Sequence, residues 1–139
     1  MITFEWRTFS PAGGDFIAKT EGGEVLADFT TGEDAWAWAT ESMQPRHAEC
    51  YRASAFVGFI DGIHVEKPYR RRGIGSALLL ATLEKFKEIG VNTIYLRAKP
   101  ERPEWLVDLL RFYWRYGFDI AKDCADVGDV MLTLKATLD

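Results

Sequence analysis

Between positions 65 and 76 the chain reads Val65-Glu66-Lys67-Pro68-Tyr69-Arg70-Arg71-Arg72-Gly73-Ile74-Gly75-Ser76: an apolar strand end, a basic turn, two glycines, and the start of a long amphipathic run. That order of residue types suits the capture of an anion. The first turn of a helix carries N–H groups without intrahelical partners, and the aligned peptide dipoles favour negative charge beside them. Glycine at 73 and 75 lets a ligand come close to the backbone, and Arg70, Arg71 and Arg72 add positive charge. Taken alone, the spacing leaves three readings open: a phosphate-bearing ligand, a solvated basic turn, and a nucleic-acid contact. It excludes the dinucleotide fingerprint, whose third glycine would fall on Leu78, and it excludes a P-loop, because no Gly-Lys-Ser/Thr follows.

The elements around this turn must present it. The sequence predicts a strand over 2–9, ended by Pro11-Ala12-Gly13-Gly14, and two strands over 16–19 and 25–29 that flank a Gly22-Gly23 hairpin. Residues 33–43 read as a short helix, although the Trp36/Trp38 alternation also suits a strand. A strand over 55–65 follows, with an interruption expected near Asp61-Gly62. From Ile74, residues Leu78, Ala81, Leu83, Phe86 and Ile89 keep helical spacing, and Gly90 closes the element. Alternation over 93–98 gives another strand, so strand, helix and strand form a parallel crossover unit. Pro103 opens a second helix containing Leu106, Leu109, Leu110, Tyr113 and Trp114, and Gly117 ends it. Two final strands are expected over 118–121 and 130–134, around Asp126-Val127-Gly128-Asp129. The fold class is α/β: a mixed, mostly antiparallel central sheet with a parallel strand–helix–strand core, in one domain over 1–139.

Composition narrows the function. With 139 residues, nearly half of them apolar and 27% charged, the chain can bury a substantial core. A net charge of -4 argues against broad nucleic-acid binding, though a local basic patch survives an acidic average. Cys50 and Cys124 match no closely spaced metal or redox motif and read as free thiols, so no metal is expected. No secretion signal or membrane-length apolar run is read, which makes a cytoplasmic protein the expectation.

Two motifs in order resemble the GNAT superfamily of acyl-CoA-dependent N-acetyltransferases. The first is Ile63-His64-Val65 followed by Arg70-Arg71-Arg72-Gly73-Ile74-Gly75, similar to Arg/Gln-x-x-Gly-x-Gly/Ala. The second is Phe112-Tyr113-Trp114-Arg115-Tyr116-Gly117-Phe118, similar to a helix ending Phe-Tyr-x-x-x-Gly-Phe. The resemblance covers roughly 55–135 and is weak before about residue 50. It implies the GNAT fold, acetyl-CoA as cosubstrate and an amine as acceptor. The coenzyme's pyrophosphate would lie on the amides of Arg71, Arg72, Gly73, Ile74, Gly75 and Ser76, with Arg70 and Arg72 side chains adding reach. Its pantetheine arm would meet the backbone of Ile63 and Val65, with His64 between them.

The resemblance also implies direct acetyl transfer to a neutral amine, with the Val65 N–H stabilising charge on the thioester oxygen. Tyr113 takes the position of the acid that protonates the departing thiolate; Tyr116 is a weaker substitute, and Phe112 reads as packing. For the base, Asp61 shares strand parity with Ile63 and Val65, while His64 lies on the other strand face and carries an imidazole, a side chain suited to proton transfer. Glu66, His47 and a water chain stay open. One departure stands out: the region 100–106 lacks the Asn the family often carries there, and Asp108 lies deeper in the helix. Trp36, Trp38, Tyr51 and Trp105 either line an acceptor recess or pack a core or an interface, a homodimer being one option. Glu33, Asp34, Glu41 and Glu49 either attract a cationic amine or form a solvated face. The acceptor stays open among a small amine, a polypeptide amine and aminoacyl-tRNA. A catalytically weak coenzyme A-binding regulator and a nucleic-acid-binding module are the alternative readings.

Overall fold

The computed structural model describes residues 1–10, 13–31, 37, 56–98, 100–120 and 132–137. In chain order these form strands β1 (Thr3–Ser10), β2 (Gly13–Thr20), β3 (Gly23–Thr31) and β4 (Phe56–Val65), helix α1 (Ile74–Glu88), strand β5 (Thr93–Ala98), helix α2 (Leu106–Trp114), and strands β6 (Asp119–Ile120) and β7 (Leu132–Thr137). Single 3-10 turns over Lys67–Tyr69 and Pro103–Trp105 precede the two helices. The sheet runs β1-β2-β3-β4-β5-β7-β6. Only β4 and β5 pair in parallel, joined by α1; the other neighbours are antiparallel. The mixed sheet with a parallel centre is therefore the observed architecture.

Element boundaries differ from expectation in physically instructive ways. Gly13 and Gly14 do not end β1 but begin β2, because without side chains they fit between the neighbouring strands; a Cβ on Gly13 would stand 2.7 Å from the Phe29 carbonyl of β3, and one on Gly14 2.6 Å from the Arg7 carbonyl of β1. The hairpin turn is Glu21-Gly22 rather than Gly22-Gly23, with Gly23 already paired to Thr20. Strand β4 is not interrupted at Asp61-Gly62. It absorbs the extra residue as a bulge, pairing Ala27 with Ile60 and Leu26 with Gly62. The last strand is displaced to Leu132–Thr137. Apart from Ala37, the region 32–55 lies outside the described residues, so the helix expected over 33–43 does too, as do Trp36, Trp38, His47, Tyr51 and the acidic positions 33, 34, 41 and 49.

The main core lies between the sheet and the two helices. Leu78, Leu79, Thr82 and Phe86 form the buried stripe of α1. They meet Phe16, Ala18, Val25, Ala27 and Ile60 from the sheet, with Phe16 and Phe86 packed edge to face at 5.1 Å. Both helices end in the same way. Gly90 and Gly117 take φ of +91°, and the N–H groups of Val91 and Phe118 reach back to the carbonyls of Phe86 and Tyr113. This is the Schellman arrangement, in which an apolar residue just past the glycine packs on the helix's last turn. Its consequence for α2 is direct: Phe118 packs against the ring of Tyr113, with ring centres 6.0 Å apart.

Two glycines of β4 have opposite requirements. A Cβ on Gly58 would meet the Phe86 ring at 3.0 Å and Val91 at 3.1 Å, so α1 lies on β4 only because position 58 is bare. A Cβ on Gly62 meets nothing within 4 Å. Gly58→Val is therefore expected to cost about 1–3 kcal/mol by overpacking, and Gly62→Ala to stay within about 0.5 kcal/mol of the parent. Urea denaturation of the two variants checks the contrast.

Candidate active site and cofactor cleft

The basic turn and glycines form a cradle of open backbone donors. Helix α1 starts at a Gly73 N-cap with φ of +76°, no side-chain cap and no acidic residue in its first turn. The first intrahelical bond is donated by the Ala77 N–H to the Gly73 carbonyl at 3.0 Å. The amides of Ile74, Gly75 and Ser76 thus belong to the helix's unsatisfied first turn. Arg71, at φ +65°, takes the left-handed conformation, so two left-handed residues two positions apart turn the backbone into a concave loop. A cavity of about 260 Å³ lies there, lined by Val65, Arg70, Arg71, Gly73, Gly75 and Ser76 among others. A Cβ at Gly73 would meet no protein atom within 4 Å, so the space over this residue is not filled by the fold.

The β2–β3 hairpin holds the base of the cradle. The Glu66 N–H donates to the Gly22 carbonyl at 2.7 Å, and the Tyr69 hydroxyl donates to Glu21 at 2.9 Å. Gly22, at φ +85°, is bare because the Tyr69 ring occupies the space of its side chain; a Cβ would lie 2.2 Å from that ring. Arg72 in turn lies over Tyr69, 5.7 Å from the ring centre.

Beside the cradle the sheet comes apart. Strands β4 and β5 pair only from Val57/Thr93 to Ile60/Leu96, while β4 continues to Val65 and β5 to Ala98. Because Glu66 bonds Gly22 and the register sets His64 opposite Glu24, ladder alternation turns the His64 backbone groups toward β3 and those of Ile63 and Val65 away from it. The Val65 carbonyl accepts a bond from Arg70 Nε at 3.0 Å on that open side. A cleft of about 550 Å³ fills the gap, between Ile63, His64 and Val65 on one wall and Asp108, Leu109, Phe112 and Tyr113 of α2 on the other. Amide groups of an extended ligand are the natural partners for such an edge.

Most predicted site residues come together here. Ile63, Val65, Arg70, Arg71, Gly73, Ile74, Gly75 and Ser76 line the two connected cavities, whereas Arg72 is exposed and turned onto Tyr69. His64, exposed, pairs with Glu24 on the sheet face opposite Ile63 and also lines the cleft. Tyr113 lines it too, 5% exposed, and burial pushes its phenol up to about 12. Phe112 packs between Tyr113 and Tyr116, at 5.2 and 5.4 Å, and lines both cavities. Trp105 is a cleft-lining residue, 44% exposed, not a core one.

The parity expected for Asp61 is corrected. The bulge between Ile60 and Gly62 breaks the alternation, so Asp61 does not share a face with Ile63 and Val65. Its carboxyl instead hydrogen-bonds Asp28, which pairs with Phe59 on the face away from α1. Burial first, then that hydrogen bond, then repulsion from Asp61 and Asp15 push Asp28 up to about 7, against the pull of Arg7. Arg7 Nε stands 3.3 Å from Asp15, an ion pair by distance that lacks hydrogen-bond alignment, since Asp15 Oδ1 has no hydrogen-bond partner. Asp28 was not identified from sequence because the signal is cross-strand: only the register brings positions 28 and 61 together. The same holds for Glu101, which reaches Arg70 across the cleft mouth. Among the described residues, no cluster of His, Cys, Asp or Glu has the arrangement of a metal site, and no helix is long and apolar enough to cross a membrane.

Residues 2–118 match the Acetyltransferase (GNAT) family. The chain belongs to the GNAT family. Solved structures agree on the fold. A Drosophila melanogaster polyamine N-acetyltransferase that forms N-acetylagmatine is similar at a TM-score of 0.64 and 15% identity, over 89% of this chain and 74% of that one. Arabidopsis thaliana Naa50 in complex with a CoA-Ac-MVNAL bisubstrate analogue is similar at 0.58 and 19% identity, over 90% and 74%. A GNAT family acetyltransferase from Elizabethkingia anophelis with acetyl-CoA bound is similar at 0.56 and 16% identity, over 99% and 98%. In this GNAT chain the split sheet and the helix-start cradle form one run of open backbone groups.

The Asp28 proton has a measurable signature. Its folded pKa of about 7 lies above the ordinary 3.8, so the folded form holds a proton that the unfolded chain releases. The stability this proton contributes is therefore fully present below about pH 4 and is lost as pH rises toward and through about 7. Asp28→Asn is expected to abolish this fall and to be more stable than the parent above pH 7, as read by thermal melting across pH 4–8.

Proposed function

We propose that this GNAT chain is an acetyl-CoA-dependent N-acetyltransferase that acetylates the primary amine of a small molecule or protein. The observation that carries the reading is the continuous run from the open Ile63 and Val65 backbone edge into the uncapped start of α1. Acetyl-CoA supplies the activated acetyl group, and the chain's residues hold, orient and manage protons around it. The amides of Gly73 to Ser76 and the Arg71 charge hold its pyrophosphate. The Ile63 and Val65 backbone binds the pantetheine amides, and the Val65 N–H is placed to stabilise negative charge developing on the thioester oxygen.

Tyr113 acts on the leaving sulfur. A phenol raised to about 12 stays protonated throughout the physiological range, and it is a weaker acid than a thiol, whose ordinary value is near 8.5. Its hydroxyl therefore serves best as a hydrogen-bond donor to a departing thiolate, without full proton transfer. The amine approaches the split from the sheet face opposite the cleft, where Asp61, the first β4 residue beyond the last β4–β5 pair, takes its proton with Asp28 beside it. The pair is able to take up a proton once Asp28 has released its own, as pH rises through about 7.

Calorimetric titration with acetyl-CoA tests the reading, and saturable binding is the expected result. Gly73→Val is expected to lose about 1–2 kcal/mol of stability through its left-handed φ and to lose binding at concentrations that saturate the parent. A folded parent that does not bind acetyl-CoA contradicts the assignment. Tyr113→Phe is expected to bind coenzyme A normally while amine-dependent coenzyme A release falls about 10- to 100-fold. Asp61→Asn should lower kcat by about 100-fold or more with unchanged coenzyme A affinity. Equal turnover in either variant removes that residue from its role.

A further inference from the structure

We propose that the Arg70–Glu101 ion pair is a clasp across the passage between the phosphate cradle and the cleft, opened by coenzyme A on entry and again on release. This rests on the acetyl-CoA reading above. Arg70 ties two walls together: its Nε donates to the Val65 carbonyl at the end of β4 at 3.0 Å, and its Nη2 and Nη1 donate to the two Glu101 oxygens at 2.7 and 3.4 Å. Glu101 belongs to the opposite wall, on the segment between β5 and α2. The tie therefore crosses the split at its open end, beyond the last backbone pair at Ile60 and Leu96.

The position along the ligand path is specific. Val65, Arg70, Arg71, Gly75 and Phe112 line both the cradle cavity and the cleft, so Arg70 stands at their junction. A ligand with phosphates in one and an extended arm in the other must cross that junction. Glu101 also needs explaining in its own right, because a carboxylate beside an anion's path repels the anion unless a cation holds it. Bidentate pairing with Arg70 neutralises it there. Pro100 and Pro103 flank the Glu101-Arg102 dipeptide and restrict the backbone that carries the carboxylate. The pair is also openable: the Arg70 and Glu101 side chains are 35% and 58% exposed, a range in which ion pairs contribute little to stability.

A clasp and a simple repelling charge differ in kinetics. Removing a repelling charge speeds association and leaves dissociation unchanged or slower, whereas removing a clasp speeds both. The experiment is stopped-flow binding of unacylated coenzyme A, followed by tryptophan fluorescence because Trp105 lines the cleft. It compares the parent, Glu101→Gln, and Glu104→Gln as a control for charge in the same segment, since Glu104 approaches Arg102 at 3.9 Å and does not line the cleft. Glu101→Gln is expected to raise association and dissociation rates together by about two- to fivefold, the range an exposed ion pair supports, with Glu104→Gln matching the parent. Faster association alone, or unchanged rates, overturns the clasp while leaving the cofactor reading intact. A parent that does not bind coenzyme A overturns both.

Discussion

The structure turns on the separation of β4 from β5. A parallel pair that stayed bonded to its end would leave no backbone free and no gap between the strands. Here pairing stops at Ile60 and Leu96, and β4 runs on to Val65 with alternate amides and carbonyls facing the opening. Buried backbone groups without partners are costly, so a split of this kind is stable only where solvent or a ligand completes it. The gap leads straight into the start of α1, where another set of amides lacks partners. One chain of backbone donors and acceptors thus extends from sheet to helix.

The surrounding elements make that exposure tolerable. On the near side, the β2–β3 hairpin anchors the turn through Glu66, Tyr69 and the bare Gly22. On the far side, the Schellman end of α2 packs Phe118 against Tyr113 and fixes the tyrosine's place on the cleft wall. Beneath, α1 lies on β4 through Phe86 and the bare Gly58. The bulge at Asp61 has a separate effect: it directs a carboxyl to the other face of the sheet, into a pair with Asp28 at the place where the strands part.

Much of this was legible in the sequence because it is local. A basic turn followed by Gly73 and Gly75 specifies an uncapped helix start within a few residues, and Gly90 and Gly117 mark helix ends for the same reason. The parallel crossover followed from the order of strand and helix periodicities. What failed depended on pairing between distant segments. The bulge reversed the parity expected for Asp61, and a one-residue slip moves every later side chain to the other face. Asp28 and Glu101 carry no local motif; cross-strand register and the reach of Arg70 across the cleft give them their partners. Arg72, read as a phosphate contact, lies over Tyr69 because a cation on an aromatic ring competes with a free rotamer.

The most direct test of this account is amide hydrogen exchange, residue by residue, with and without coenzyme A. The account predicts new protection at the amides of Ile63 and Val65 and at those from Arg72 to Ser76, with little change at His64, whose backbone already faces β3. Protection confined to other segments while these amides exchange as before would contradict the claim that the split sheet and the helix start hold the coenzyme.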